Sequence, residues 1–184
     1  IITKNLDISE QWFVYAEPAG TQKFLGLNTD SAATSNSGVY TNVGATTFTN
    51  NISGTSRTYI NYCFTSITGY QKVGNYTGGG LTKSVSGLGF KPRFVMIKAI
   101  SGGSNTDYYS WTIHDNSRNI ESTDRVTDPL FANRNYQEGK RGNGSSGSGV
   151  LDLTFDSDGF TIEHNGSEAN ASLNSEEYIY LAIK

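Results

Sequence analysis

Short runs of alternating apolar and polar residues, separated by Gly, Ser and Asn, recur along the whole chain. A period of two combined with β-branched and aromatic residues predicts strands. On this basis strands are expected at 11–16, 23–28, 45–50, 58–65, 70–77, 93–99, 109–114, 150–155, 159–164 and 177–183. Asp156-Ser157-Asp158-Gly159 falls between two such runs and reads as a hairpin turn, with Gly159 supplying a positive φ. The Gly- and Ser-rich stretch from Glu138 to Gly149 reads as a surface loop. The one stretch that admits a helical turn is Ile120–Asn135, and its apolar spacing is poor. Many short strands joined by turn residues predict an all-β fold, an antiparallel β-sandwich of jelly-roll or lectin-like kind.

The pattern also repeats. Asn51-Ile52-Ser53-Gly54-Thr55-Ser56-Arg57-Thr58-Tyr59-Ile60 aligns without a gap on Asn170-Ala171-Ser172-Leu173-Asn174-Ser175-Glu176-Glu177-Tyr178-Ile179, with five identities in ten. Each copy runs on into an apolar strand, Asn61-Tyr62-Cys63-Phe64 or Tyr180-Leu181-Ala182-Ile183. Upstream, Lys4 precedes Trp12-Phe13-Val14-Tyr15, and Lys98 precedes Trp111-Thr112-Ile113-His114. Leu25-Gly26-Leu27-Asn28 follows the first Trp strand, and Leu130-Phe131-Ala132-Asn133 follows the second. Only the second copy is preceded by the segments from Gly69 to Gly80 and from Gly89 to Lys98. The expected organisation is therefore a complete sandwich unit at 67–184, with 1–66 as the C-terminal part of a preceding unit.

Composition narrows the function classes. Of 184 residues only 17% are charged, while 12% are aromatic, enough rings for a packed core and too little charge for a disordered tail. A net charge of -3 and a pI near 5.3 leave no basic footprint for nucleic acid or anionic lipid. The longest apolar runs, such as Phe94-Val95-Met96-Ile97, fall far short of the ~20 residues of a spanning helix. The opening Ile1-Ile2-Thr3-Lys4 has no cationic segment ahead of a long apolar one, so no signal peptide is expected. It also lacks an initiator Met, and a piece of a longer chain is expected. The lone Cys63 lies within a predicted strand and is expected to be a small buried hydrophobe.

Candidate chemistry is sparse. His114 beside Asp115 and His164 beside Glu163 show no metal-ligand spacing and read as structural or surface residues. Asp152, Asp156 and Asp158 fall close to Gly159 and are weak calcium candidates, although the EF-hand spacing is not met. Asp carboxylates accepting backbone N–H bonds in a turn explain the same residues. Otherwise no cofactor is expected. Gly74, Gly78, Gly79 and Gly80 lack the Lys-Ser or Lys-Thr pair of a phosphate cradle and read as a turn. Sequons at Asn51, Asn75, Asn143, Asn165 and Asn170 read as turn chemistry. A glycan-cleaving site needs two carboxylates about 5–9.5 Å apart; Glu17, Asp115, Asp152, Asp156 and Glu163 are available, and nothing in the sequence pairs them. The aromatics are more informative, because a sugar ring stacks its apolar face on a flat ring and hydrogen-bonds its hydroxyls nearby. Tyr76, Tyr108, Tyr109 and Trp111 are the candidate ligand-binding residues, with packing between sheets as the alternative for each.

Several segments together resemble a family of virion structural proteins of tailed phages, especially marine ones. They are Gly69-Tyr70-Gln71-Lys72-Val73-Gly74-Asn75-Tyr76-Thr77-Gly78, Gly89-Phe90-Lys91-Pro92-Arg93-Phe94-Val95-Met96-Ile97-Lys98, Trp111 to Asn119, Asp158-Gly159-Phe160-Thr161-Ile162 and Asn170 to Ile183. The resemblance covers the second unit almost throughout and 12–64 more loosely. Where the family pattern has Trp-x-[Ile/Val]-Tyr, this chain has Trp111-Thr112-Ile113-His114. The resemblance implies a non-enzymatic repeat module of a tail fibre or head appendage, located on the virion and assembled in the host cytoplasm. Its implied partners are other virion proteins, further copies of itself in a homo-oligomer such as a trimer, and a host-surface glycan. The alternative is an architectural decoration or fibre subunit that binds only other virion proteins.

Overall fold

The computed structural model describes residues 1–35, 38–52, 56–101, 110–118, 120–121, 124–136, 138, 151–164 and 176–184. Tyr108, Tyr109 and most of the loop 138–149 lie outside them. Seventeen strands and a single 3-10 turn occur among the described residues, and every strand pairing is antiparallel. In chain order the strands are β1 (Ile2–Asn5), β2 (Phe13–Val14), β3 (Lys23–Gly26), β4 (Thr34–Ser35), β5 (Tyr40–Thr41), β6 (Thr49–Asn50), β7 (Tyr59–Tyr62), β8 (Gln71–Thr77) and β9 (Thr82–Ser86). They continue with β10 (Phe94–Ala99), β11 (Thr112–Asp115), β12 (Ile120–Glu121), β13 (Arg125–Val126), β14 (Leu130–Phe131), β15 (Leu151–Asp156), β16 (Gly159–His164) and β17 (Glu177–Ile183). The short turn Glu17–Ala19 follows β2, its Pro18 suited to a helical start.

Three five-stranded sheets and one hairpin result. The first sheet runs β4-β3-β2-β1-β7, the central sheet β14-β11-β10-β17-β8, and the outer sheet β12-β13-β15-β16-β9; β5 and β6 form the hairpin. Alternation along β10 and β17 explains the stacking, since successive side chains point to opposite faces. Val95, Ile97, Ala99, Tyr178, Tyr180 and Ala182 meet Val126, Leu153, Phe155, Phe160 and Ile162 of the outer sheet. Met96, Ile179 and Trp111 point the other way, onto Val14 and Leu25 of the first sheet. The far face of the first sheet carries Phe13 and Tyr15, which pack with Val39, Tyr40 and Ile52. The central sheet is thus covered on both sides, which is why Phe94–Ala99 is almost continuously apolar. The chain is an all-β antiparallel sandwich.

The motif order found twice in the sequence occupies matching places in two sheets. β1 pairs with β7 with Lys4 opposite Ile60, and β10 pairs with β17 with Lys98 opposite Ile179. Ile2 faces Val14 as Met96 faces Ile113. Val14 faces Leu25 as Ile113 faces Leu130. The Trp12 N–H donates to Asn28 Oδ1 at 2.9 Å, and the Trp111 N–H donates to Asn133 Oδ1 at 2.9 Å. The two sheets meet through equivalent faces, with Ile2 and Val14 in one cluster with Met96 and Ile113.

Some local expectations need correction. The described residues of 120–135 hold strands β12, β13 and β14 and no helical turn, because β13 pairs with β15 and β14 with β11. The strands β1, β4, β5 and β9 also went unpredicted; they are too short or too polar to show alternation, and β-pairing to neighbours makes them strands. The hairpin between β15 and β16 turns at Ser157-Asp158 as expected, yet Gly159 does not have a positive φ. It is small for another reason: a Cβ there would collide with the Val85 carbonyl of β9.

Candidate interaction surface

The two rings of the candidate ligand site that the structure describes are core residues, and the expectation that they are exposed is overturned. Tyr76 on β8 is 8% exposed; its ring stacks on Tyr178 at 5.0 Å and meets Phe160 edge-on at 6.3 Å. Burial, with Tyr178 adding to it, pushes its phenol well above the usual tyrosine range. Trp111 is 4% exposed, and its Nε1–H donates to the Gly26 carbonyl at 2.8 Å, tying the central sheet to the first. The physical cause is ordinary: inner faces of a sandwich are filled by the largest rings. Tyr108 and Tyr109 lie outside the described residues.

The three calcium candidates are engaged separately. Asp152 pairs with Arg125, which also lies 3.7 Å from Glu163 across the β15–β16 ladder. Asp156 accepts from the Thr161 hydroxyl at 2.7 Å. Asp158 accepts from the N–H groups of Gly87 and Gly89 at 3.1 and 2.6 Å, fixing the turn that leads out of β9. No group of three or more potential metal ligands converges among the described residues. Asp115 is held by Arg118: partial burial pushes its carboxyl up, but that ion pair and the Ser117 N–H outweigh it and keep it below the usual range. His114 is fully buried, with neither ring nitrogen meeting a hydrogen-bond partner. Burial, reinforced by Arg118 and opposed by Asp115, lowers its pKa to about 3, so it is a neutral ring in the interior. His164 extends β16 opposite Leu151. Asn75 sits within β8 and not in a turn.

Sequence reasoning passed over Lys98. It is 0% exposed, on the face of β10 that meets the first sheet. Its ammonium donates to the carbonyls of Asp30 and Ser31 at 3.2 and 3.0 Å and lies 6.0 Å from the Trp111 ring centroid. Arg134 donates to Asp30 at 2.7 Å beside it. Burial lowers the Lys98 pKa to about 7; Asp30 opposes this and Arg134 adds to it. The arrangement clamps the 30–31 loop to the central sheet. Lys98 itself is not accessible from outside, while Asp30 and Arg134 stay partly exposed.

An exposed run of apolar residues begins on β7. Residues 60–68 are all exposed; Ile60 and Tyr62 fall on one side of the strand, and Phe64 follows just past its end. Tyr62 is 45% exposed. Cys63, expected inside, is exposed as well, because β7 is the last strand of its sheet. Leu6 and Ile8 near one end and Ile67 and Tyr70 near the other extend the exposed apolar surface. No Lys, Arg, Asp, Glu or Pro interrupts 58–64. Native edges are ordinarily blunted by such residues, since an open edge offers N–H and C=O groups for pairing. Exposed apolar side chains that follow one another along an unblunted edge suit a contact site. The sequence signal was present as an uncharged alternating run; its exposure was not, because the aligned run Tyr180-Leu181-Ala182-Ile183 is largely buried.

A family model described as a domain of unknown function (DUF7483) matches residues 1–184. The chain belongs to that family. No curated protein and no solved structure matches it. No helix among the described residues is long and apolar enough to cross a membrane.

Proposed function

We propose that this chain is a non-enzymatic assembly module that binds other protein chains, and that it serves in the particle of a tailed phage, as its resemblance to virion structural proteins implies. The observation that carries the reading is the uncharged, exposed β7 edge with Ile60, Tyr62 and, just past its end, Phe64. The carboxylates weighed for glycan cleavage support it too, since Asp115, Asp152 and Asp156 are each occupied by a donor from the protein. Attachment to a host-surface glycan draws less support, because Tyr76 and Trp111 are in the core. That reading now rests on Tyr108 and Tyr109.

Incorporation is the test. Particles are produced with the wild-type chain or with Tyr62→Lys and Phe64→Lys combined, and the purified particles are scored for the chain by mass spectrometry. Both side chains are exposed, so thermal unfolding should hold while incorporation is lost. Incorporation at the wild-type level would overturn the proposal.

A further inference from the structure

The two related sheets share four strands and differ at their edges, the first adding β4 beyond β3 and the central one adding β8 beyond β17. In the central sheet the strand after the Tyr-Ile motif, β17, is not terminal: β8 pairs with it along its whole length, from Gln71 opposite Ile183 to Thr77 opposite Glu177. In the first sheet the matching strand, β7, ends the sheet. The consequence shows in burial, since β17 is buried at most positions and β7 at none. Strand order and register agree at the three pairings that the two sheets share.

We infer that β7 is the docking edge for a β8-type strand supplied by a further unit of the same repeat, which adds antiparallel to β7 in the β8–β17 register. The inference rests on the assembly reading and names its occupant. Transfer of the register sets what the strand must carry. The residue at the Tyr76 position lies opposite Tyr59, whose hydroxyl already donates to the Ile52 carbonyl at 2.8 Å and whose ring borders the third core. An aromatic ring there can stack on Tyr59 as Tyr76 stacks on Tyr178. The residue at the Val73 position lies opposite Tyr62, so an apolar side chain covers the exposed row. The Gly74 position is relaxed. Within β8 a Cβ at Gly74 would come within 2.5 Å of the Tyr180 hydroxyl, but the residue matching Tyr180 is Asn61, whose amide oxygen accepts from Thr3 at 2.6 Å. Backbone pairing would supply the affinity and the alternate side chains the specificity, as in other strand additions.

The test adds a second copy of residues 70–78 ahead of Ile1 through a flexible Gly/Ser linker, which holds the strand at high effective concentration. Hydrogen exchange is then followed at 59–64 in the otherwise intact chain. The expected result is slowing by about tenfold or more at these amides, with native β8 protection unchanged, and loss of the effect when the added strand carries Gly74→Pro, since the even-numbered positions of β8 turn their backbone groups to the partner strand while Val73 turns its own to Ser66. Displacement of native β8, seen as faster exchange at 71–77, overturns the inference. Absence of protection at 59–64 also overturns it. If in that case the unaltered chain forms a dimer that Tyr62→Lys dissolves, a second copy is the occupant and the assembly reading stands. If the unaltered chain also stays monomeric and Tyr62→Lys with Phe64→Lys is incorporated normally, both fall.

Discussion

The two related sheets are built to one plan and live in different surroundings. Ile179 and Ile60 occupy the same register position, yet Ile179 is packed between sheets and Ile60 faces solvent. Lys98 and Lys4 are matched in the same way. Lys98 is buried and grips the 30–31 loop, whereas Lys4 reaches only the nearby carbonyls of Asn5 and Ile8. Tyr180 lies over Gly74 of β8, where a Cβ would meet its ring, and its counterpart Asn61 lies beside an open edge. A repeated motif therefore specifies pairing and register, while each copy's neighbours decide whether a side chain serves stability or remains free for contact.

Paired substitutions can break this comparison. Ile179→Ala should lower unfolding free energy by about 2–5 kcal/mol, as cavity-forming changes do, while Ile60→Ala should stay within about 0.5 kcal/mol. Denaturant unfolding checks both, and equal losses would mean that β7 is covered. Lys98 adds a pH signature. Its pKa is about 7 in the folded chain against 10.5 as its ordinary value, so between these values the unfolded chain holds a proton that the folded chain has released. Stability should therefore rise with pH across that window, and Lys98→Met should flatten the rise when melting is compared from pH 7 to 10. Tyr40, raised to about 12 mainly by burial despite its hydrogen bond with Thr3, confines the comparison to that range, because stability falls again as pH passes 10.

Smaller effects sharpen the contrast. Gly74→Ala should cost about 1–3 kcal/mol through overpacking against Tyr180. In a Tyr180→Asn background, which copies the residue of the first sheet, the same change should cost less, and a double-mutant cycle reads the difference. The smallest contrast is between Asn28→Ala and Asn133→Ala. Each removes one matching bond from a Trp N–H, so losses of about 1 kcal/mol are expected at both positions. Agreement between them would show that the shared plan survives where the surroundings differ.

Strand alternation, turn residues and the twofold motif order were legible in the amino-acid sequence because they are local. Period two fixes which side chains share a face, and Ser157-Asp158 turns the chain without outside help. The order of Lys, Trp strand and Tyr-Ile strand was legible too, but the register match of Lys4 with Lys98 was not, because the loop between Lys and Trp differs in length in the two copies. What only the tertiary structure decided is which face is covered. Tyr76 and Trp111 looked equally fit for a sugar or a core until β16 and the first sheet were placed against them. Cys63 looked like core until β7 proved to be a terminal strand. Burial depends on partners distant in the chain, and alternation along a strand carries no information about them.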